Sequence, residues 1–433
     1  KFYINKRATM PALISVLIFL TVLLSFLANP APASLEISDI ILPGLSIIIA
    51  LLSFAVSPGY KLYREEKNLL LAIIFYLTYL LLSLLSGLLN GVPLLNVLRS
   101  IGPYIGFFPL LFTGFIPAKR IPPQRIAIIL ITVGLLQACY LFYLYLSHTG
   151  NINNTNAVLR YRITLMDPRT TLPLLLALAI LPISFILKTN PVEKQRNFQI
   201  YLVITSIMIG LYAAVITLTR AIVLSIIVGW VVFFICHFYF LKQTNSESLP
   251  VYLRRCLTWV STLFFILIIL SFIPSIHLIE TGLLTRFFDH TASGAHTDYS
   301  DGRLLEEWLP ALKTWLASGW INIFFGIGAG NAFITPSGEE RTYIHNLSIY
   351  TLVYGGIFGF ISCLWLYYSL FKTFIVRALQ SHNSTYIVFA ALLASLFFYG
   401  QLFAVHKGFA FNVMLFLMIG LAFSQPVLQK RND

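Results

Sequence analysis

Charge is scarce in this chain. Only 10% of its 433 residues are charged, and 16 acids face 29 lysines and arginines. The four cysteines, Cys139, Cys236, Cys256 and Cys363, show neither paired spacing nor metal-ligand spacing, so no disulfide framework and no cysteine metal site is legible. Three fall within apolar runs and read as free, buried thiols. No internal repeat or low-complexity tract stands out. So little charge excludes an ordinary soluble domain of this length. What the chain has instead is apolar sequence, 58% of all residues. It comes in runs of about 20, the length that crosses a bilayer core of roughly 30 Å. Backbone groups in lipid must be satisfied internally, so these runs are expected to be helices. The net charge of +13 is carried in short loops rather than in a stripe or tail. That placement points to a membrane and an anionic lipid-linked ligand, not to nucleic acid.

The expected fold is an all-α polytopic membrane protein with about twelve transmembrane helices and both termini cytoplasmic. The spans run at about 10–28, 38–57, 69–92, 96–117, 126–147, 170–187, 200–218, 221–241, 258–276, 347–370, 385–405 and 408–425. Helices 1–5 fall in residues 1–147, a loop in 148–169, helices 6–9 in 170–276, a large loop in 277–345 and helices 10–12 in 346–433. Ala31-Pro-Ala33 resembles a signal-peptidase site, but the preceding run reads as a retained first helix. Basic residues set the orientation. Lys1, Lys6, Arg7, Lys61, Arg64, Lys67, Lys119, Arg120, Arg125, Lys188, Lys194, Arg196, Lys242, Arg254, Arg255, Lys372, Arg377, Lys430 and Arg431 fall on one side. Most acids fall on the other. Ten bases share that outer side against the rule: Arg99, Arg160, Arg162, Arg169, Arg220, Arg286, Arg303, Arg341, Lys313 and Lys407. Pairing with the nearby acids is one explanation, and an anionic ligand is the other. Arg220 has no acid near it in sequence; it either snorkels to the interface or faces inward to hold an anion.

Chemistry-bearing residues concentrate in the stretch 303–359. Leu305, Trp308, Leu309, Leu312, Trp315 and Leu316 recur at helical spacing, with Glu306, Glu307 and Lys313 on the other side. This predicts an amphipathic helix, kinked at Pro310, on the membrane surface or over the bundle. Gly326-Ile-Gly328-Ala-Gly330 lacks a preceding strand and reads as a tight turn rather than a nucleotide fingerprint. Asn346 is placed to cap the helix that starts at Leu347. Gly356 lies eleven residues after His345, on nearly the same helix face, where a small residue admits a close neighbour. The free amides of that helix start favour an anion. His345 then either packs at the helix end or acts as a general base. His290 and His296 with Asp289 and Asp298 match no metal motif and read as a solvated loop. His148, His237, His277, His382 and His406 read as interfacial or packing residues.

His345-Asn346, nine residues, Gly356, two residues and Gly359 resemble the motif of bacterial O-antigen ligases and the wider O-antigen ligase/polymerase family. Leu218-Thr-Arg220, Asp301-Gly-Arg303 with Trp308, and Gly326-Ile-Gly-Ala-Gly-Asn331 stand in the same order. The likeness covers about 215–360; before it the chain matches only as a run of spans. The resemblance implies a metal-independent, cofactor-free, inverting glycosyltransferase of the bacterial inner membrane with a periplasmic active site. It implies a donor glycan on undecaprenyl diphosphate and lipid A–core as acceptor. A second lipid-linked repeat (a polymerase) or a protein serine is the acceptor in related members. On this reading His345 is the base, while Arg220 and Arg303 bind the diphosphate. Arg286, Arg160, Arg162 and Asn346 assist in binding, and Gly326, Gly328, Gly330, Gly356 and Gly359 shape the site. A transporter of lipid-linked sugars is the competing class. Spans nearly free of charge, with the charged set at one face, favour surface chemistry over passage.

Overall fold

The computed structural model describes residues 6–27, 38–56, 64–116, 120–148, 173–186, 193–216, 220–244 and 303–424. These residues are mostly helical. In chain order come α1 (Lys6–Leu27), α2 (Ser38–Val56), α3 (Arg64–Leu89), α4 (Leu94–Ile105) and a 3-10 segment (Phe108–Phe115). There follow α5 (Pro123–His148), α6 (Pro173–Ile180), α7 (Ile183–Ile186), α8 (Glu193–Ile216) and α9 (Arg220–Thr244). A π-helical turn (Leu304–Trp308) leads into α10 (Leu309–Ala317) and α11 (Trp320–Phe325). Two short antiparallel strands, β1 (Phe333–Ile334) and β2 (Glu340–Arg341), precede α12 (Leu347–Ser381), α13 (Thr385–Leu402), a 3-10 turn (Ala404–Lys407) and α14 (Phe409–Phe423). Among the described residues six helical segments are long and apolar enough to cross a membrane, and five apolar ones are shorter, in keeping with an all-α membrane protein. The span expected at 258–276 lies outside the described residues.

The core sits around α6, α13 and α14. All of α6 is buried, as is α14 from Ala410 onward, so these helices need no polar face. The rim shows its apolar side chains outward: Leu51 of α2, Ile74 of α3, Ile128 of α5 and Ile235 of α9 are exposed, as lipid-facing helices require. Two expected spans are interrupted. The run at 96–117 is α4 followed by the 3-10 segment, which starts beside Pro109. The run at 170–187 stops at Ile180, before Pro182, and resumes as α7. Proline supplies no amide and disfavours helix in the residue before it, which apolar content alone does not register. Cys139 is exposed rather than buried, Cys236 is half-buried and Cys363 is buried; all three are free thiols.

α3 and α12 run antiparallel and carry the site between their ends. Buried Glu66, near the start of α3, pairs with buried Arg377, near the end of α12. At the other end the Ser83 hydroxyl donates to the Tyr354 carbonyl at 2.9 Å. There α12 is interrupted: Gly356 has φ 66° and ψ −167°. The expectation that Gly356 shares a helix face with His345 fails at the other end: Asn346 is extended (φ −156°, ψ 118°), so His345 stands outside the helical repeat that leads to Gly356. The lack of a side chain at Gly356 admits the backbone of Phe324, which a Cβ would overlap. The glycine turn 326–330 fills the gap. The Ile327 amide donates to the Val353 carbonyl at 3.0 Å, and the Ala329 amide to the Ser83 carbonyl at 2.8 Å. Ser86 donates to the Gly326 carbonyl at 3.1 Å, and Asn90 to the Ile327 carbonyl at 2.8 Å. Gly328 has φ +89°, and a Cβ there would overlap the backbone of Gly87. Gly330 passes within 2.9 Å of the α4 backbone at Asn96 and Val97, counted from where its Cβ would stand. Gly359 lies under the Tyr79 ring.

Substitution by alanine should separate turn strain from wedge packing. Gly338 also has a positive φ, +83°, but open space around it. Gly338→Ala is expected to cost roughly 1 kcal/mol, and Gly328→Ala roughly 3 kcal/mol or more, read as thermal unfolding in detergent.

Candidate active site

His345 lies one residue ahead of the Asn346 cap of α12. Asn346 accepts from the Ile349 amide at 2.8 Å and donates to the Gln401 carbonyl at 3.0 Å, so its amide is engaged by the protein at both ends. The helix start is not an open anion site as expected. The Ser348 amide donates to the Gln401 side chain at 3.3 Å, and the His345 amide donates to Glu307.

Glu307 is the residue the sequence reading missed. It belongs to the π-helical turn, and its side chain is only 2% exposed. One carboxylate oxygen takes the backbone amide of His345, and the other lies 2.8 Å from the imidazole Nδ1. An ionised carboxylate only accepts, so this contact selects the neutral tautomer with the proton on Nδ1 and the lone pair on Nε2. The imidazole side chain is 19% exposed, and the edges of the Tyr343 and Phe403 rings meet it at 5.2 and 6.2 Å between centroids. The result is an oriented, partly accessible basic nitrogen, with its other side clamped to a buried acid.

The expected amphipathic helix is present, but turned. Its buried stripe is Glu307, Ala311 and Trp315, spaced by four, while Leu305, Leu309 and Leu316 are exposed. In a membrane chain an apolar stripe faces lipid as readily as protein, and the buried carboxylate is compensated by its two bonds to His345. Pro310 lies inside a continuous helical run and follows directly on the π turn, whose wider bonding (the Leu309 amide to the Leu304 carbonyl) accommodates a residue with no amide to give. The irregularity is the π turn before it. Trp315 Nε1 donates to the Asn322 carbonyl at 3.0 Å and so ties α10 to α11.

Arg303 heads the π turn. Its guanidinium donates to the carbonyl of Leu402 at the end of α13 and lies 4.8 Å over the Phe403 ring, which also touches His345. Arg220 opens α9. Arg160, Arg162 and Arg286 lie outside the described residues, as do His290 and His296. Among the described residues no three His, Cys, Asp or Glu side chains group to hold a metal ion.

A second cation stands near the dyad. Lys407 donates to the Thr342 carbonyl at 2.6 Å and lies over the rings of Tyr343 and Tyr350 at 6.0 and 5.5 Å. Burial brings its ammonium down to about 7. Next to it His406 is fully buried and held well below its ordinary range, first by burial and then by the charge of Lys407. Comparison with known protein families finds no family model that matches this chain, and no curated protein matches it.

The depressed Lys407 value carries a sign. Between about pH 7 and the unfolded lysine value the unfolded chain holds the extra proton, so stability rises with pH across that window. Below about pH 7 the fold bears the whole cost of burying the charge. Lys407→Met is therefore expected to raise the melting temperature at pH 6 and to lose that advantage by about pH 10.5, near the ordinary lysine value.

Proposed function

We propose that this chain transfers a glycan from undecaprenyl diphosphate to lipid A–core, as an O-antigen ligase does. In this reading it crosses the bacterial inner membrane twelve times, both termini are cytoplasmic, and the site faces the periplasm. The observation that carries it is the Glu307–His345 dyad, held at one end of an apolar bundle with Arg303 sharing the Phe403 ring.

The acceptor hydroxyl donates to Nε2 of His345. As its oxygen attacks the anomeric carbon, the proton passes to Nε2 and Glu307 balances the imidazolium. The bond from that carbon to the diphosphate oxygen breaks, and the leaving diphosphate keeps the electron pair. Arg303 and Arg220 bind the charge that develops there; guanidinium forks match phosphate oxygens. A single displacement inverts the anomeric centre. The diphosphate is already an activated leaving group, so the step uses no nucleotide.

The test is purified protein in detergent with undecaprenyl-diphosphate glycan, with and without lipid A–core. Glycosylated lipid A–core is the expected product. Longer lipid-linked chains from donor alone would make it a polymerase instead, and absence of any product would count for a protein acceptor or for transport. His345→Ala should lower transfer about 10²–10⁴-fold, and Arg220→Ala should abolish it, with normal insertion in both. Glu307→Gln should lose about 10²-fold, with Glu307→Asp recovering part of it. Near-normal transfer by both His345→Ala and Arg220→Ala would sink the mechanism.

A further inference from the structure

Lys407 has no carboxylate partner among the described residues. Its ammonium meets one carbonyl oxygen and two ring faces, which draw on its charge without cancelling it. Beside it His406 is buried with both ring nitrogens unpartnered. The titratable and charged groups around this turn are few. The loop brings Glu339, Arg341, Tyr343 and His345, the π turn Glu307, α12 Tyr350 and Tyr354, and α4 Tyr104 and the exposed Arg99. α14 brings none, and α13 no acid or base beyond the phenols of Tyr386 and Tyr399. The one buried acid among them, Glu307, is bound to His345. Lys407 is half-buried as a residue, and an ammonium shielded from water without a counter-charge works against the fold, where a hydrophobic residue of similar size avoids that cost. Such a group calls for an anionic ligand. The Tyr343 ring, on which Lys407 lies, is one of the two that touch the imidazole; Arg303 lies on the other.

We propose that Lys407 is a second cation for the donor's diphosphate, complementing Arg303, and that its protonation state governs how tightly the donor is held. The inference rests on the glycan-transfer reading for the identity of the ligand. Charged, Lys407 donates to a phosphate oxygen beside His345; neutral, it keeps only its bond to Thr342. Because burial brings it to about 7, donor affinity should be highest on the acid side and fall as pH rises through neutrality. Over the same range a diphosphate only gains negative charge, so a weakening with pH belongs to the protein.

The probe is farnesyl diphosphate, titrated calorimetrically into the full chain in detergent at pH 6 and pH 8.5. For the native protein Kd should weaken about tenfold or more over that interval. Lys407→Arg stays charged and should show a much smaller change. Lys407→Met should bind about tenfold or more weakly than the native protein at pH 6 and should match it at pH 8.5. Any effect of His345 protonation is common to all three, so the differences isolate Lys407. Equal Kd for native protein and Lys407→Met at pH 6, or the same pH dependence in Lys407→Arg as in the native protein, overturns the proposal. Parallel transfer assays separate the two ideas. Lys407-dependent binding without transfer keeps the anion site and discards the transferase reading. Transfer with a Kd indifferent to Lys407 does the reverse.

Discussion

The arrangement depends on one interruption in a helix. Gly356 takes α12 out of helical geometry, and the carbonyls of Val353 and Tyr354, one turn before the residues that follow the break, are taken by partners outside α12. A buried carbonyl without a partner costs about 1–3 kcal/mol. Here the Ile327 amide and the Ser83 hydroxyl supply the bonds. The same exchange clamps the 326–330 turn to α3 and α12, and the segments on either side of that turn carry Glu307 and His345. The site is thus positioned by backbone hydrogen bonding and by the absence of Cβ atoms, more than by side-chain packing within the site.

The chemistry follows from what that clamp brings together. A carboxylate buried in an apolar bundle needs compensation, and Glu307 obtains it from the amide and ring of one residue. In return it fixes which imidazole nitrogen is basic. Around this pair the rings of Phe403 and Tyr343 form two shelves, with Arg303 on one and Lys407 on the other. Arg303 remains charged at any relevant pH. Lys407 does not, and its burial costs the fold stability on the acid side of neutrality. One base and two unlike cations are what the proposed displacement of a lipid diphosphate would use.

Much of the helical architecture was legible because bilayer thickness imposes a length on apolar runs. What was not legible is where those runs break. Pro182 divides one expected span, and the Phe107–Pro109 junction divides another, without altering hydropathy. His345 and Asn346 stood out by their place at a helix start, and Asn346 does cap α12. Glu307 did not stand out. It is 38 residues away, and a helical wheel set it opposite the leucines, on the side expected to meet water. The buried side is the one that carries Glu307, and Leu305, Leu309 and Leu316 are the exposed ones. Gly356 was recognised as a position for close approach, but as part of a continuous face; a positive φ leaves no mark in residue spacing. Lys407 was visible only as a basic residue on the side where the charge rule did not expect it.

The central claim is that Glu307 holds His345 in the tautomer that leaves Nε2 basic. Nitrogen-15 NMR of histidine-labelled protein tests it most directly, with the His345 signals assigned by their loss in His345→Gln. At pH 7.5 the account predicts a protonated Nδ1 and an unprotonated Nε2 in the native protein, and loss of that preference in Glu307→Gln. A proton on Nε2 in the native protein, or signals unchanged by Glu307→Gln, would contradict it.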